Sequence, residues 1–81
     1  CGYKTLTEKP PGTFEICTIC FWEDDTIQFN DPDFAKGTNQ ISLKQAQQNY
    51  LNFGAVERRF LQNVRKPNKS DKKDPKWKFL D

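Results

Sequence analysis

Cys17 and Cys20, with only Thr18 and Ile19 between them, can hold one metal ion, because a tight turn of that length brings both sulfurs to one side. Cys1, sixteen positions before Cys17, can supply a third sulfur. Structural zinc sites are tetrahedral, take sulfur and nitrogen ligands, and fill all four positions. Their common two-turn pattern separates two Cys-x-x-Cys units by about 15 to 20 residues, and fifteen residues separate Cys1 from Cys17. Cys1, Cys17 and Cys20 therefore read as ligands of a structural zinc ion. The chain has no histidine. A fourth ligand would be Glu23, Asp24 or Asp25, or a cysteine three positions before Cys1. The competing reading is three small thiols with no metal. A redox role has less behind it: a reactive Cys-x-x-Cys normally opens a helix, which lowers the pKa of its first thiol. Here the motif follows a strand-like run. Lack of histidine also removes the commonest general base. With Glu23 or Asp24 beside the metal as the sole candidate base, the chain reads as a non-enzyme.

The elements that must position these sulfurs follow from pattern. Tyr3, Thr5 and Leu6 favour extended structure, and Gly2 suits the exit from a metal-binding turn. Pro10-Pro11-Gly12 makes a loop. Thr13 to Ile16 alternates, with Phe14 and Ile16 on one face, and reads as a second strand leading into Cys17. Phe21 and Trp22 follow the turn and would cover the metal with apolar surface. Thr26 to Phe29 alternates and reads as a short strand, and Asn30-Asp31-Pro32-Asp33 as a turn. Ser42 with Gln45 fits a capping box. Leu43, Ala46, Tyr50 and Phe53 then share a helical face, Lys44, Gln47 and Gln48 face water, and Gly54 stands at the C-terminal cap. Val56, Phe60 and Val64 predict a second helix over residues 55–65, stopped by Pro67. The expected architecture is α+β: a small zinc-ribbon-like β-hairpin packed against two C-terminal helices. It forms one domain over residues 1–81, with hairpin and acidic segment in 1–35, helices in 42–66, and a basic tail in 67–81 docked by Trp77.

At 81 residues with 35% apolar content, the core must be small, and the eleven aromatic residues should do most of the burying. No window is apolar enough to cross a membrane. An odd cysteine count without a secretory signal favours a reducing, cytoplasmic setting over a disulfide scaffold. The chain contains no Met, so residue 1 reads as lying downstream of the natural start. Net charge is +2 but unevenly placed. Residues 14–35 carry six acids and no Lys or Arg, whereas 65–78 carry seven basic residues.

That asymmetry gives two binding readings. Trp22, Glu23, Asp24, Asp25, Asp31, Asp33 and Phe34 would form an acidic, aromatic surface that steers and anchors a basic protein. Alternatively, Arg58, Arg59, Arg65, Lys66, Lys69, Lys72, Lys73 and Lys76 would contact phosphates, with Trp77 stacking on a base. Near-zero net charge counts against the second.

Several stretches carry a resemblance to a known family. They are Cys1-Gly2-Tyr3-Lys4-Thr5-Leu6, Ile16-Cys17-x-x-Cys20-Phe21-Trp22-Glu23-Asp24-Asp25, Asn30-Asp31-Pro32-Asp33, Ser42-Leu43 with Ala46-Gln47, and Asn49-Tyr50 with Phe53-Gly54-Ala55. Val64-Arg65-x-Pro67 and Asp74-Pro75-x-Trp77 extend it. Together they resemble the bacterial CPCC cysteine-rich family. Cys1 matches the last cysteine of the Cys-Pro-Cys-Cys motif, and Thr18 departs from a frequent Pro. The resemblance implies a four-cysteine zinc site whose fourth member lies upstream. It also gives a pointer to toxin–immunity systems, so the acidic surface would belong to an immunity protein that neutralises a toxin.

Overall fold

Ser42 sits in extended backbone, and its hydroxyl accepts the Gln45 N–H at 3.1 Å. The helix it starts, the second in the chain, spans Leu43–Phe53. Gly54 closes that helix in the left-handed region (φ 94°), its N–H bonding to the Tyr50 carbonyl. Both ends form as the sequence predicts. The capping box is only half made, however, because the Gln45 side chain donates to Asn49 Oδ1 instead of reaching back. The computed structural model of the chain describes residues 1–80, so of the basic tail Asp81 lies outside the described residues. In chain order the helical elements are α1 (Thr26–Asn30), α2 (Leu43–Phe53) and a 3₁₀ helix (Arg58–Asn63).

The expected α+β hairpin does not form. Among the described residues there is no β-strand, only isolated bridges between Tyr3 and Lys73 and between Ile16 and Glu23. The first cysteine segment thus pairs with the C-terminal segment rather than with residues 13–16. Phe14 (φ 58°) and Phe21 (φ 71°) lie in the left-handed region, which breaks the pleat on either side of the cysteine turn. The presumed inner face is turned out: Phe14 is 61% and Ile16 44% exposed.

Thr26 to Phe29 is helical, not extended. Asp25 decides this: its Oδ1 accepts the N–H groups of Ile27 (2.8 Å) and Gln28 (3.2 Å), an N-cap for a helix start. The other carboxylate oxygen accepts the Thr38 N–H at 2.9 Å, and that bond leads in holding the Asp25 carboxyl below its ordinary range. Asp25→Ala should therefore cost about 2 kcal/mol, the upper end for a lost cap, read as a lower urea midpoint with unchanged slope.

The second predicted helix is also shortened. Val56 donates its N–H to the Cys20 carbonyl at 2.9 Å, and its carbonyl accepts from Asn49 Nδ2 at 2.8 Å. With both groups committed to tertiary partners, helix can begin only after Glu57, and it takes the tighter 3₁₀ form.

The buried apolar core is Cys17, Ile19, Cys20, Ala46 and Val56, with Cys1, Tyr3, Phe21, Trp22, Ile41, Tyr50 and Phe60 packed around it. Among the described residues no aromatic ring is fully buried, contrary to the expectation from composition. Rings form the rim, and thiols with Ile19 form the centre. Gln47, expected to face water, is buried and accepts the Leu80 N–H at 2.7 Å.

Candidate metal centre

The turn that carries two of the thiols is held by its own backbone. Phe21 donates to the Cys17 carbonyl at 2.8 Å, and Cys17 donates to the Trp22 carbonyl at 2.9 Å. Beyond the turn, Val56 and Arg65 donate to the carbonyls of Cys20 (2.9 Å) and Thr18 (3.2 Å). Cys1 arrives from elsewhere. Gly2 turns beside it in the left-handed region (φ 86°), and its carbonyl accepts the Asp74 N–H at 2.8 Å.

These contacts bring the three sulfurs within 4.8 Å of one another. Cys1 and Cys17 are 3.6 Å apart, sulfur to sulfur. Zinc–sulfur bonds of about 2.3 Å in a tetrahedron place sulfurs about 3.8 Å apart, so the Cys1–Cys17 distance fits one edge of such a site. Cys17 and Cys20 are buried and Cys1 is half-buried. The cluster could bind a metal ion, and its sulfur donors suit a soft or borderline one.

The thiols are electrostatically unequal. The Cys17 thiol is pulled down to about 5, chiefly by a hydrogen bond from the Cys20 thiol and further by the Thr5 hydroxyl, against burial. That hydroxyl lies 3.0 Å from Cys17 Sγ. Cys20 is pushed up, by its pairing with Cys17 and by burial. A lowered Cys17 thiol favours the thiolate, the form a metal takes. Thr5 was read from sequence only as a strand former. No local signal marks it, since its partner is twelve residues away.

Glu23, Asp24 and Asp25 do not join the cluster. Asp24 is buried, and its Oδ2 accepts from the Thr13 N–H (2.9 Å) and hydroxyl (2.8 Å). Asp25 caps α1. Glu23 is half-buried, and its backbone is held by the Asn39 side chain on both sides, at 2.9 and 2.7 Å. Trp22 packs against the core. Of the seven residues read as a partner surface, Asp31, Asp33 and Phe34 are exposed. Pattern also missed their apolar neighbours Ile27 and Phe29, 62% and 50% exposed. The signal for them was the N-cap at Asp25, which turns the alternating run into a helix with Gln28 inward.

The basic residues are engaged unevenly. Arg58 lies over the Phe53 ring and Arg59 over Phe60, each 4.4 Å from the centroid. Arg65 makes a two-pronged pair with Asp71 at 2.7 and 2.8 Å, which holds the Asp71 carboxyl down at about 2. Lys66, Lys69, Lys72, Lys76 and Lys78 are exposed. Among the described residues no helix is long and apolar enough to cross a membrane.

A small cysteine-rich domain, with two thiols in its core and a third packed against them, is the class that this fold and site define. Within it, the chain belongs to the cysteine-rich CPCC family, whose model matches residues 1–71. That match takes in all three cysteines and every helical element. A search of curated proteins finds no match.

Proposed function

We propose that the chain is a zinc-stabilised binding domain, in which Cys1, Cys17 and Cys20 hold a structural zinc ion and the molecule recognises a protein partner rather than catalysing a reaction. The observation that carries the metal half is the place of the thiols. Cys17 and Cys20 lie in the buried core and Cys1 packs against it, so an ion bound there would stabilise the fold directly. Family membership supports a fourth sulfur from the CPCC motif. Metal analysis of the full natural protein, purified under reducing conditions without added metal, is expected to give one zinc per chain. Fully reduced, folded protein without metal would overturn the reading.

The partner half rests on the surface around α1. Ile27, Phe29 and Phe34 are exposed in the segment that carries Asp31 and Asp33, a stretch of surface that mixes apolar and acidic groups. Such a patch suits a basic protein, drawn in by charge and anchored by apolar contact. A toxin neutralised by an immunity protein is the partner that the family resemblance favours. Phosphate binding by the basic segment has less support, because Arg58, Arg59, Arg65 and Lys73 are turned onto rings or acids of the chain itself.

The test is complex formation with the product of the adjacent gene. Phe29→Ala with Phe34→Ala should weaken it by roughly 30-fold or more, as expected for anchoring residues, while leaving the thermal melt within a few degrees. Affinity unchanged in this double variant would remove the patch from the proposal. Binding to oligonucleotide that falls with salt would shift it to the alternative.

A further inference from the structure

We propose that residues 72–80 form a strap that controls access to Cys1, the half-buried thiol of the cluster. This rests on the metal reading for its zinc readout but not for its thiol readout.

The two cysteine segments are held in different ways. The Cys17–Cys20 turn has hydrogen bonds of its own and two from the segment after α2. The Cys1 segment is bound to the strap: Lys4 donates to the Lys72 carbonyl at 2.7 Å, Asp74 donates to the Gly2 carbonyl at 2.8 Å, and Tyr3 pairs with Lys73 between them. The Trp77 indole lies flat against Gly2. A Cβ on Gly2 would fall 2.8 Å from Trp77 Cδ2, so only glycine permits this approach. The Lys73 ammonium stands 5.3 Å from the Tyr3 ring and 5.4 Å from the Trp77 ring, a cation shared by one ring of each segment. At the far end the Leu80 N–H is latched to the buried Gln47 of α2 at 2.7 Å.

Between the strap and α2 is a solvent-open cleft of about 110 Å³, its walls formed by Cys1, Tyr50 of α2, and Trp77 and Phe79 of the strap. A reagent or chelator entering this cleft reaches Cys1 between the strap and α2, so the position of Trp77 and Phe79 sets its width. Lifting the strap breaks the Leu80 latch, the two backbone hydrogen bonds to Gly2 and Lys4 and the Lys73 ring contacts, whereas opening the Cys17–Cys20 turn needs the buried core disrupted. Local opening of that kind lies well below global unfolding in free energy. Metal exchange should therefore begin at Cys1.

The experiment uses the full natural chain with two variants. Trp77→Ala removes the cover. Gln47→Leu keeps volume in α2 and removes the latch. Iodoacetamide labelling is followed cysteine by cysteine by mass spectrometry, and zinc transfer to a chromogenic chelator is timed in parallel. Cys1 labelling should speed up about tenfold in Trp77→Ala and about threefold in Gln47→Leu, with Cys17 and Cys20 unchanged and zinc transfer accelerated in step. If Cys1 reacts at the wild-type rate in both variants, or all three cysteines speed up together, the strap is overturned. If the wild type carries no zinc, the metal reading fails while the labelling still decides the strap.

Discussion

Cys20→Ser should yield a chain that retains no zinc and shows no cooperative melt. Cys20 is almost wholly buried, contributes to the core through Ile19 and Val56 as well as through its sulfur, and is one of three donors in the cluster. Structural zinc binding contributes about 10–16 kcal/mol in small metal domains. A domain this size has a total stability of only about 5–15 kcal/mol. A lost donor that abolishes ion binding should thus remove a contribution comparable to the whole margin. The measurement is metal content per chain together with calorimetry, and strong chelation of the wild type should reproduce the same result. Thr18→Ala, an exposed change within the same turn, serves as the control and should melt near wild type. A Cys20→Ser protein with a normal melt would show that the thiols are ordinary core residues and that no ion holds the fold.

Gln28→Ala should be the most damaging change away from the cysteines, costing about 3–5 kcal/mol. Gln28 is fully buried on α1. Its amide nitrogen donates to the carbonyls of Phe34 (3.1 Å), Asn39 (3.1 Å) and Ile41 (3.0 Å). Two hydrogens serve three acceptors, so one is shared. Its Oε1 accepts the Asn39 N–H at 3.1 Å and Nδ2 at 2.9 Å. The whole loop from α1 to α2 is wrapped on this one amide. Removing it orphans several backbone groups at once, each at about 1–3 kcal/mol where burial is retained. Asn39 also bonds the Glu23 backbone, and the neighbouring Trp22 carbonyl accepts from Cys17, so the loop braces the cysteine turn. Gln28→Leu separates the two causes by keeping volume and deleting the bonds. It should be destabilised nearly as much as the alanine variant in urea titration. A tolerated leucine would mean that the position needs filling, not hydrogen bonding.

Several features were legible because their physics is local. The Cys17–Cys20 turn closes on its own backbone, Phe21 to Cys17 and Cys17 to Trp22. Ser42 reaches the Gln45 N–H within one turn of helix, and Gly54 takes a left-handed cap that residues with a Cβ avoid. The three thiols were likewise readable as a donor set, from chemistry and spacing alone, and the fold brings their sulfurs together.

Other features depended on partners far along the chain. Alternation over Thr26 to Phe29 predicts a strand, but the Asp25 cap and the inward amide of Gln28 favour a helix. Alternation over Thr13 to Ile16 predicts a buried face, but left-handed Phe14 turns it outward. Apolar period predicts a helix from Ala55, but Val56 gives both backbone groups to Cys20 and Asn49. Charge counting put Asp24 and Asp25 on a partner surface, whereas buried carboxylates are kept only where N–H and O–H groups meet them, and Thr13, Ile27 and Thr38 supply those.

The sequence by itself determined that three sulfurs would be available, which is a matter of residue type, and where one helix would start and stop, which rests on contacts within about four residues. Only the tertiary structure decided which segment Cys1 pairs with, which polar side chains are drawn inside, and which rings remain on the surface. In so small a core, with few apolar groups to bury, hydrogen bonds between distant residues outweigh local preference.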